Sequence, residues 1–326
     1  MSYKTTDGLM RHLRNNGIAI SGSTQKRQLI NAGYYHGYKG YRFFQQSGKR
    51  LPFSEYRDIH ATIQYDSDLK SLLYSKMMFI ETAIKNIALE SILINANSEN
   101  IQVMYETVIS SYLNAPPSST VEQRKKLQQN KLNLQNSVQK NLAHAYKSNN
   151  PKISHFYNNP NYSEVPIWAL FEILTMGDFA YLLSCLTYSV RDDISKRIGF
   201  NLAYDTDRQL IYKYLYMLKD LRNAIAHNAV VFDARFRTNA PNAAMKQCLK
   251  GEIGLPYVNF KTIGDYVVLM CYYLKLLQVP KREVKSFLRT FEKITQNYKN
   301  TVDPSVSSIV IHPDLASRMN TLKNFI

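Results

Sequence analysis

Apolar residues recur at three- and four-residue spacing along much of the chain, and the pattern is clearest in residues 66–94. One apolar stripe here is formed by Leu69, Leu73, Met77, Ile80, Ile84 and Ile87. Such a stripe is typical of an amphipathic helix that buries one face. We expect Asp66 to cap the start of this helix, and Glu81 to pair with Lys85 four residues later.

Other segments show the same helical pattern, separated by residues that end helices. Thr5 or Thr6 is placed to cap a short helix that Gly17 ends, and Ser23 to cap another that ends at Gly33. Further helices are predicted over residues 101–113, 120–147, from about 164, 205–230, 257–278, 280–300 and 313–326, with a surface loop over 148–163. The chain has only 12 Gly and 11 Pro, and no stretch alternates apolar and polar residues as a strand would. We therefore predict an all-α fold, a helical bundle.

Residues 33–44 interrupt this pattern with glycines, aromatic residues and cations. Aromatic rings interleaved with basic side chains are suited to stacking on single-stranded RNA and gripping it. The tyrosines are also suited to packing the N-terminal part onto the bundle, and we slightly favour this second interpretation. We predict that residues 1–60 form a small basic, aromatic-rich appendage, and that residues 61–326 form a helical domain with an insertion around 100–162.

The net charge of the 326-residue chain is +16, and it is unevenly distributed. Residues 1–65 contain ten basic and three acidic residues, so they carry +7 of this surplus. A surplus of this size favours a polyanionic partner, either a nucleic acid or an acidic membrane surface. The candidate RNA-binding residues are Lys26, Arg27, Tyr38, Lys39, Arg42, Lys49 and Arg50, with Arg124, Lys125 and Lys126 as an alternative set.

Hydropathy and cysteine content favour the nucleic acid over the membrane. The longest apolar stretch, residues 266–274, is far shorter than the roughly 20 residues that span a bilayer, and the polar N-terminus has no signal-peptide core. The three cysteines are odd in number and far apart, which argues against a disulfide framework and fits a reducing cytosol. We expect a cytoplasmic protein with no membrane partner.

Several familiar catalytic motifs are missing from the sequence. It has no phosphate-binding loop ending in Gly-Lys-Ser/Thr, no Gly-x-Ser-x-Gly elbow and no His-Glu-x-x-His pair. Acidic residues are scarce and do not cluster as they do where paired magnesium ions bind. These absences disfavour a metal-dependent nuclease, and we expect neither a metal nor a cofactor.

One group of polar residues stands out near the end of the helix predicted over 205–230. Asn223 and His227 are four residues apart and share one helix face, and Asp220 lies one turn earlier, where it could help to orient them. Arg222 projects about 140° away from His227, beside an apolar stripe. That stripe consists of Ile211, Tyr214, Leu215, Leu218, Leu221 and Ile225. A permanent cation there is unfavourable unless it is paired, or unless the edge of the stripe is an interface.

These side chains suit the cleavage of RNA without a metal ion. A His base can remove the proton from a 2′-hydroxyl, whose oxygen then attacks the neighbouring phosphate. An Arg fork can bind the charge that gathers on the phosphorane, and Asn can orient the imidazole or the phosphate. DNA, which has no 2′-hydroxyl, would stay uncut. On the residues alone, a purely structural His on a helix stays the commoner alternative.

Three segments resemble the abortive-infection proteins of the D/F type, within the HEPN ribonuclease superfamily. Residues 221–227, Leu-Arg-Asn-Ala-Ile-Ala-His, match the Leu-Arg-Asn-x-x-x-His signature of that family. Residues 65–73, followed by Ile80-Glu81, are similar to its Tyr/Phe-Asp-x-x-Leu helix. Residues 32–38 are similar to its N-terminal Tyr-Tyr-x-x-x-Gly-Tyr-type segment. Together the three segments span about residues 25–235.

The resemblance implies a HEPN-like helical bundle and a toxin-like bacterial RNase that acts in abortive infection, a defence against phage. It implies Arg222, Asn223 and His227 as catalytic residues, in a composite site where two such motifs face each other across a dimer. His227 is the only histidine five to seven residues after an arginine, so one motif per chain implies a homodimer. A small non-coding RNA is the expected antitoxin.

The chain departs from the family at two positions after the motif. Asn228 stands where many relatives have a second His, and we expect Phe232 to stand in for a Trp. The stretch 101–162 has no counterpart that we can place. Two other functions are kept as alternatives: a catalytically inactive RNA-binding or scaffolding protein of the same fold, and a helical DNA-binding protein, for which no helix-turn-helix spacing is convincing.

Overall fold

The computed structural model describes residues 5–45, 48–162, 164–238 and 240–326. Over these residues the protein is 69% helical, with 16 helices and one small two-stranded sheet. The prediction of an all-α fold is therefore confirmed. Within the described ranges, no helix is both long and apolar enough to cross a membrane.

The helices are numbered here in chain order. They are α1 (Thr6–Asn15), α2 (Gly22–Ala32), α3 (Tyr56–Ala96), α4 (Ile101–Thr107), α5 (Val121–Lys147), α6 (Pro151–Asn158), α7 (Ile167–Ile173), α8 (Met176–Cys185), α9 (Tyr188–Ile198), α10 (Leu210–Ala226), α11 (Ala243–Ile253), α12 (Ile263–Leu276), α13 (Lys281–Thr301), α14 (Pro304–Val310) and α15 (Leu315–Phe325). A π-helical turn, Tyr34–Lys39, follows α2. Strand β1 (Phe43–Phe44) pairs antiparallel with β2 (Lys49–Arg50).

The chain forms two compact units, each built from separate stretches of sequence. The first unit comprises Met1–Met77, Asp220–Pro241 and Leu249–Ile326, and the second comprises Met78–Lys219 and Asn242–Cys248. The residues predicted for catalysis all belong to the first unit. The predicted boundary after residue 60, and the insertion around 100–162, stay predictions.

The first two helices start and end close to the predicted residues. The Thr5 side chain caps α1 by accepting a hydrogen bond from the Gly8 N–H at 3.3 Å, as predicted. The prediction that Ser23 caps α2 is wrong, because the helix already begins after the extended residue Ser21. Gly33, with a φ of 72°, ends α2 as expected, since a residue without a Cβ adopts positive φ without strain.

The Gly/Tyr-rich segment folds as the π-helical turn and the β1–β2 hairpin, neither of which we predicted. Gly37 permits its close packing on α2, since a Cβ there would lie 3.2 Å from the Cβ of Ala32, which is tighter than an ordinary contact. Tyr38 and Tyr41 are each 5% exposed, whereas Tyr35 is 72% exposed. Burial of the first two tyrosines supports the packing interpretation, while Tyr35 lies on the surface.

The longest helix, α3, starts ten residues before its predicted beginning. Asp66 is therefore not an N-cap, because it lies about three turns inside the helix, where it is fully buried. The predicted pair of Glu81 and Lys85 is confirmed, with a contact of 3.0 Å between two largely buried side chains. The predicted apolar stripe is confirmed at five positions that are 0% exposed: Leu69, Leu73, Met77, Ile80 and Ile84.

In the first unit, α13 packs antiparallel along the first half of α3. Near one end the rings of Tyr65 and Tyr298 stack with their centroids 4.4 Å apart, and the Thr62 and Tyr298 hydroxyls share a hydrogen bond of 3.0 Å. Near the other end Lys76 pairs with Glu283 at 3.5 Å. One face of α13 is buried by these contacts, and the other is left to solvent.

At the centre of the first unit lies α12, in which every residue from Ile263 to Leu274 is buried. It packs against α13 and α15. Asp265 of α12 forms a buried ion pair with Arg318 of α15 and accepts the Phe260 N–H at 2.7 Å. A buried carboxylate is stable only when such partners replace water, so this pair fixes α15 on the core.

The second unit is built around α5, which packs against α6, α7 and α8. Thr120 and Gln123 form a capping box at its start, where we predicted the helix to begin. The prediction of a loop over 148–163 is wrong in part, because α6, capped by Asn150, lies within it. Residue 163 lies outside the described residues. The helix predicted over 101–113 ends six residues early, because the Ser110 N–H bonds to the Cys185 carbonyl at 2.8 Å.

Candidate active site

Helix α10 carries the predicted catalytic residues and is shorter than predicted at both ends. It begins only at Leu210, because the buried Asp205 carboxylate caps it by accepting the N–H groups of Gln209 and Leu210 at 2.8 and 2.9 Å. It ends at Ala226, and Asn228 beyond it is left-handed, with a φ of 52°. The predicted apolar stripe is confirmed at five fully buried residues: Ile211, Tyr214, Leu215, Leu218 and Leu221.

Arg222, Asn223 and His227 lie in the last turn of α10 and directly after it. Asn223 and His227 are exposed, and the His227 N–H donates to the Asn223 carbonyl at 3.0 Å. Their neighbours Leu221 and Ala224 are buried, so the two polar side chains project away from the core. Arg222 is half-buried at the edge of the apolar stripe, where helical geometry places it.

Asp220, which we predicted as an orienting residue, is 6% exposed and lies one turn before Asn223. Its Oδ2 atom accepts hydrogen bonds from the Thr238 hydroxyl at 2.6 Å and from the Thr238 N–H at 3.0 Å. The carboxylate therefore ties the segment that follows α10 back to the helix. A role for Asp220 in orienting Asn223 or His227 stays a prediction.

The chain beyond α10 is held by the buried carboxylate of Asp66 in α3. Its Oδ1 atom accepts the N–H groups of Val231 and Phe232, each at 2.8 Å. Its Oδ2 atom contacts the Tyr41 hydroxyl and the Lys70 ammonium, again at 2.8 Å each. A buried carboxylate needs charged and hydrogen-bonding partners of this kind, so the four groups fix one another in place.

Lys70 extends this network to the residue next to His227. Its ammonium donates to the side-chain carbonyl oxygen of Asn228 at 2.9 Å while it keeps its ion pair with Asp66. The Lys70 side chain is only 11% exposed and Asp66 is fully buried, so their ion pair is shielded from solvent, whereas Asn228 lies at the surface. Because Asn228 directly follows His227, this contact fixes the backbone from which the imidazole projects.

Tyr41 joins the same network to the aromatic residues of the N-terminal segment. Burial, followed by the Asp66 charge, raises the pKa of Tyr41, so its hydroxyl stays a donor at neutral pH. Its ring stacks on Phe232, with centroids 6.0 Å apart and an angle of 10° between the planes. Phe44 lies 6.0 Å from the same ring. Phe232, which we expect to stand in for the Trp of relatives, is thus packed between two rings.

Asp233 and Arg235 hold the same segment against the backbone that follows the π-helical turn. The Arg235 guanidinium donates to the carbonyls of Gly40 at 2.7 Å and Phe43 at 2.8 Å, and it pairs with Asp233 at 2.7 Å. Asp233 in turn accepts the Gln45 N–H at 2.9 Å. The Gly/Tyr segment, α3 and the end of α10, which are far apart in sequence, therefore meet at one place in the first unit.

Four of the predicted RNA-binding residues lie beside aromatic rings or in the β1–β2 hairpin. Lys39 lies over the Tyr35 ring, 4.4 Å from its centroid. Arg42 lies 4.7 Å, and Arg50 5.8 Å, from the centroid of Phe43. Lys49 is exposed in β2. These cation–aromatic contacts leave charge and ring surface together at the N-terminal part of the chain.

The other predicted RNA-binding residues differ in what surrounds them. Lys26 pairs with Asp7 at 2.7 Å, and its ammonium lowers the pKa of that carboxyl. Arg27 is exposed in α2. Tyr38 is buried, so stacking of its ring on a base would require rearrangement. RNA binding by any of these residues stays a prediction.

In the alternative RNA-binding set, Arg124 is engaged with the backbone before α5. Its guanidinium donates to the carbonyls of Tyr112 at 3.3 Å and Pro116 at 3.2 Å. Lys125 and Lys126 are exposed. Arg124 therefore orders the loop before the helix, and the two lysines are left to solvent.

The residues that hold the end of α10 are not apparent from the sequence pattern. Asp66 looks like an N-cap from its position before the apolar stripe, and nothing marks Lys70 as its partner except the four-residue spacing. Asp233 and Arg235 form a short Asp-x-Arg run just after the motif. The four-residue spacing of Asp66 and Lys70 and the Asp-x-Arg run are thus the sequence features that point to these residues.

The fold and the site together define a class of protein. It has an all-α fold, and its Gly/Tyr segment and long helix α3 hold the end of α10, where Arg222, Asn223 and His227 lie. Residues 27–233, more than half of the chain, match the family of Abi-like proteins, and the chain belongs to that family. The matched range begins in α2 and ends at Asp233, so it contains all three segments that meet at the end of α10. No curated protein and no solved structure is significantly similar to the chain.

Proposed function

We propose that the protein is a metal-independent endoribonuclease of the HEPN superfamily, a toxin-like enzyme that acts in abortive infection. The observation that carries this proposal is the exposed pair Asn223 and His227 at a helix end that a buried hydrogen-bond network holds rigid. Membership of the Abi-like family supports it. An enzyme needs its reacting groups held in one geometry, and the Asp66–Lys70 network supplies that restraint next to His227.

The proposed reaction is an attack within the RNA strand. His227 takes the proton from a 2′-hydroxyl, and the oxygen forms a bond to the adjacent phosphorus. The bond from phosphorus to the 5′-oxygen of the next nucleotide then breaks, and that oxygen receives a proton. The products are a 2′,3′-cyclic phosphate and a 5′-hydroxyl. Arg222 binds the charged phosphorane oxygens, and Asn223 orients the imidazole or the phosphate.

The reaction needs a base for the attack of the 2′-hydroxyl and an acid for the departure of the 5′-oxygen, and each chain supplies one motif. We propose a symmetric homodimer in which the two ends of α10 face one cleft, so that one His227 acts as the base and its copy as the acid. The half-buried position of Arg222 beside the apolar stripe suits a residue at the edge of such an interface. Control by a small non-coding RNA is part of the same proposal, and the basic N-terminal part is a candidate surface for it.

Expression in cells, followed by sequencing of RNA ends, tests the proposal. We expect wild type to arrest growth and to produce RNA fragments with 2′,3′-cyclic phosphates, and His227→Ala to do neither. His144→Ala is the matched control, because His144 is also an exposed helical histidine but lies in α5. Growth arrest by wild type and His227→Ala alike, with RNA binding retained and no cyclic-phosphate fragments from either, would favour the inactive RNA-binding or scaffolding protein instead.

A further inference from the structure

Helix α13 carries a basic face that the predicted RNA-binding residues do not include. Its basic residues are Lys281, Arg282, Lys285, Arg289, Lys293 and Lys299. At about 100° per residue, all six fall within a sector of about 120° around the helix axis. Lys285 is half-buried and the other five are exposed. The buried face, which includes Val284, Phe291 and Tyr298, points elsewhere, so packing and charge are separated on this helix.

The acidic residues of α13 offset this face only in part, although Glu292 falls within its sector. The helix has two of them, and each is paired with a cation from another helix. Glu283 contacts Lys76 of α3 at 3.5 Å, and Glu292 contacts Lys323 of α15 at 2.6 Å. Together, α13 and the two lysines that pair with it comprise eight basic and two acidic residues. The surface therefore carries a concentrated positive charge.

The arrangement of the charges suits a linear polyanion better than a compact anion. Lys281, Lys285, Arg289 and Lys293 follow one another at four-residue intervals, which puts successive cations about 5–6 Å apart. From Lys281 to Lys299 the face is about 27 Å long. A row of regularly spaced cations matches the regularly spaced phosphates of a nucleic-acid strand.

A cavity of about 720 Å³ lies along the same helix. Lys293, Gln296 and Lys299 of α13 line it, together with His312 and Met319 from the helices and loop that follow. Its wall thus combines two lysines, an amide and the Glu292 carboxylate with apolar surface, and such a mixture of polar and apolar groups can take up an unstacked base. Only an unpaired strand can turn a base out without breaking a pair, so the cavity favours single-stranded RNA over a duplex.

An acidic membrane surface is the other polyanion to weigh. A helix that lies on a membrane inserts large apolar side chains beside its cations. In the part of the chain that the structure describes, the exposed large apolar side chains lie on other elements and none lies on α13. The polar residues Gln296 and Asn300 occupy the basic sector instead, where they can contact bases and sugars.

We propose that the basic face of α13 binds the phosphate backbone of single-stranded RNA. That this RNA is the substrate rests on the proposed function, whereas the proposal that α13 binds RNA does not. The face lies on a helix that packs along α3, and α3 also holds the end of α10 through Asp66 and Lys70. Helix α3 thus contacts both the helix with the proposed binding surface and the segment with the proposed catalytic group.

Affinity for a fluorescent oligouridylate, measured over a range of salt concentrations, tests this inference. The test variant combines Arg282→Gln, Lys285→Gln, Arg289→Gln and Lys293→Gln in a His227→Ala chain, so that the RNA stays intact. The control has the same loss of charge at four other exposed lysines: Lys140→Gln, Lys147→Gln, Lys246→Gln and Lys250→Gln. We expect the test variant to bind about 10- to 100-fold more weakly at about 0.15 M salt, and the slope of log affinity against log salt to fall by about 3, which is the loss of four phosphate contacts. The control should stay within about twofold.

Equal weakening in the two quadruple variants, or no weakening in the test variant, would overturn the inference. So would loss of binding to phosphatidylserine vesicles with RNA affinity unchanged, which would assign the face to a membrane. A single Arg289→Gln variant guards against misfolding, because it should lower the slope by about 0.7 at an unchanged melting temperature. The two proposals can fail separately. If the protein binds RNA through α13 but cuts none, this inference stands and the proposed function fails. If it cuts RNA but does not bind it through α13, the proposed function stands and this inference fails.

Discussion

Lys70 of α3 donates a 2.9 Å hydrogen bond to the side chain of Asn228, the residue directly after His227. The bond joins the middle of one helix to the end of another, and Lys70 makes it while paired with the buried Asp66. A lysine held in this way cannot move without leaving a buried carboxylate without its counter-charge. The bond to Asn228 therefore anchors the residue after His227 to a buried ion pair of α3.

Asp66→Asn should destabilise the first unit strongly. The change keeps the shape of the side chain but leaves Lys70 as a buried cation without a counter-charge, and removing one partner of a buried pair costs about 3–5 kcal/mol. We expect the melting temperature in calorimetry to fall by on the order of 5–10 °C.

Asp68→Asn is the control for this change, because Asp68 lies two residues away in α3 and accepts an exposed hydrogen bond from Gln64 at 2.7 Å. It should alter the melting temperature by less than about 2 °C, since a surface substitution is worth about 0.5 kcal/mol or less. Equal stability of wild type and Asp66→Asn would show that the network around Asp66 does not hold the fold.

Asn228→Gly should impair catalysis more than folding. Glycine accepts the φ of 52° but removes the oxygen that Lys70 contacts, so the backbone after His227 gains freedom. We expect kcat for RNA cleavage to fall about tenfold, since small displacements of a reacting group have effects of this size or larger. KM should change little, because the phosphate contacts remain.

Asn149→Gly is matched to this variant, because Asn149 has a φ of 53° and lies in the second unit. It should leave kcat unchanged. If Asn228→Gly and Asn149→Gly cleave RNA equally well, the contact between Lys70 and Asn228 has no role in positioning His227.

Features that depend on local periodicity, such as apolar stripes and helix ends, could be predicted from the sequence. The apolar stripes of α3 and α10, the start of α5 near Thr120 and the Gly33 helix end all follow from short-range rules, and each is found. The projection of Asn223 and His227 from one exposed face follows from helical geometry in the same way.

Long-range contacts could not be predicted from local pattern. Asp66 satisfies the local rule for an N-cap, but its hydrogen-bond partners are 25 and 165 residues away in the chain. The start of α10 was misplaced for a related reason, since Asp205 caps the helix from outside it. The π-helical turn was missed because glycine content predicts a break and not the unusual turn that follows one.

Complementation between two inactive variants tests the dimer. Arg222→Ala and His227→Ala should each fail to cleave RNA as pure homodimers, because each lacks both copies of one group. A mixed dimer retains one Arg222 and one His227, so it lacks either the base or the acid of the proposed pair and should recover only part of the activity. Any recovery on mixing would place Arg222 and His227 in one shared cleft. Sedimentation should show a dimer for wild type and for His227→Ala alike. A fully active monomer would contradict the prediction.

The three cysteines should be unreactive in the folded protein. All are buried, and burial raises the pKa of Cys185 to about 11 and that of Cys271 still further. We expect an aromatic disulfide reagent at neutral pH to label none of them within minutes, and to label three after denaturation. Rapid labelling of Cys185 in the native protein would show that the second unit opens readily.

The same shifts predict how stability depends on pH. An unfolded chain loses its thiol protons near pH 8.5, whereas the folded chain keeps them at that pH. The folded-state pKa is raised, so the contribution to stability is fully present below about pH 8.5 and declines as the pH rises through about 11. Thermal unfolding in this range, compared between wild type and Cys185→Ala, checks the sign. A steeper decline for Cys185→Ala than for wild type would contradict it.

The most direct test of the proposed chemistry is cleavage by the purified protein in excess chelator. The substrate is one RNA strand, made once with all its 2′-hydroxyls and once with a single 2′-deoxy nucleotide 5′ to the cleaved bond, and mass spectrometry identifies the product ends. We predict that the full RNA is cut to a 2′,3′-cyclic phosphate and a 5′-hydroxyl, that the 2′-deoxy bond stays intact, and that His227→Ala cuts neither strand. Activity that vanishes in chelator and returns with magnesium, or cleavage at the 2′-deoxy position, would contradict a mechanism built on Arg222, Asn223 and His227.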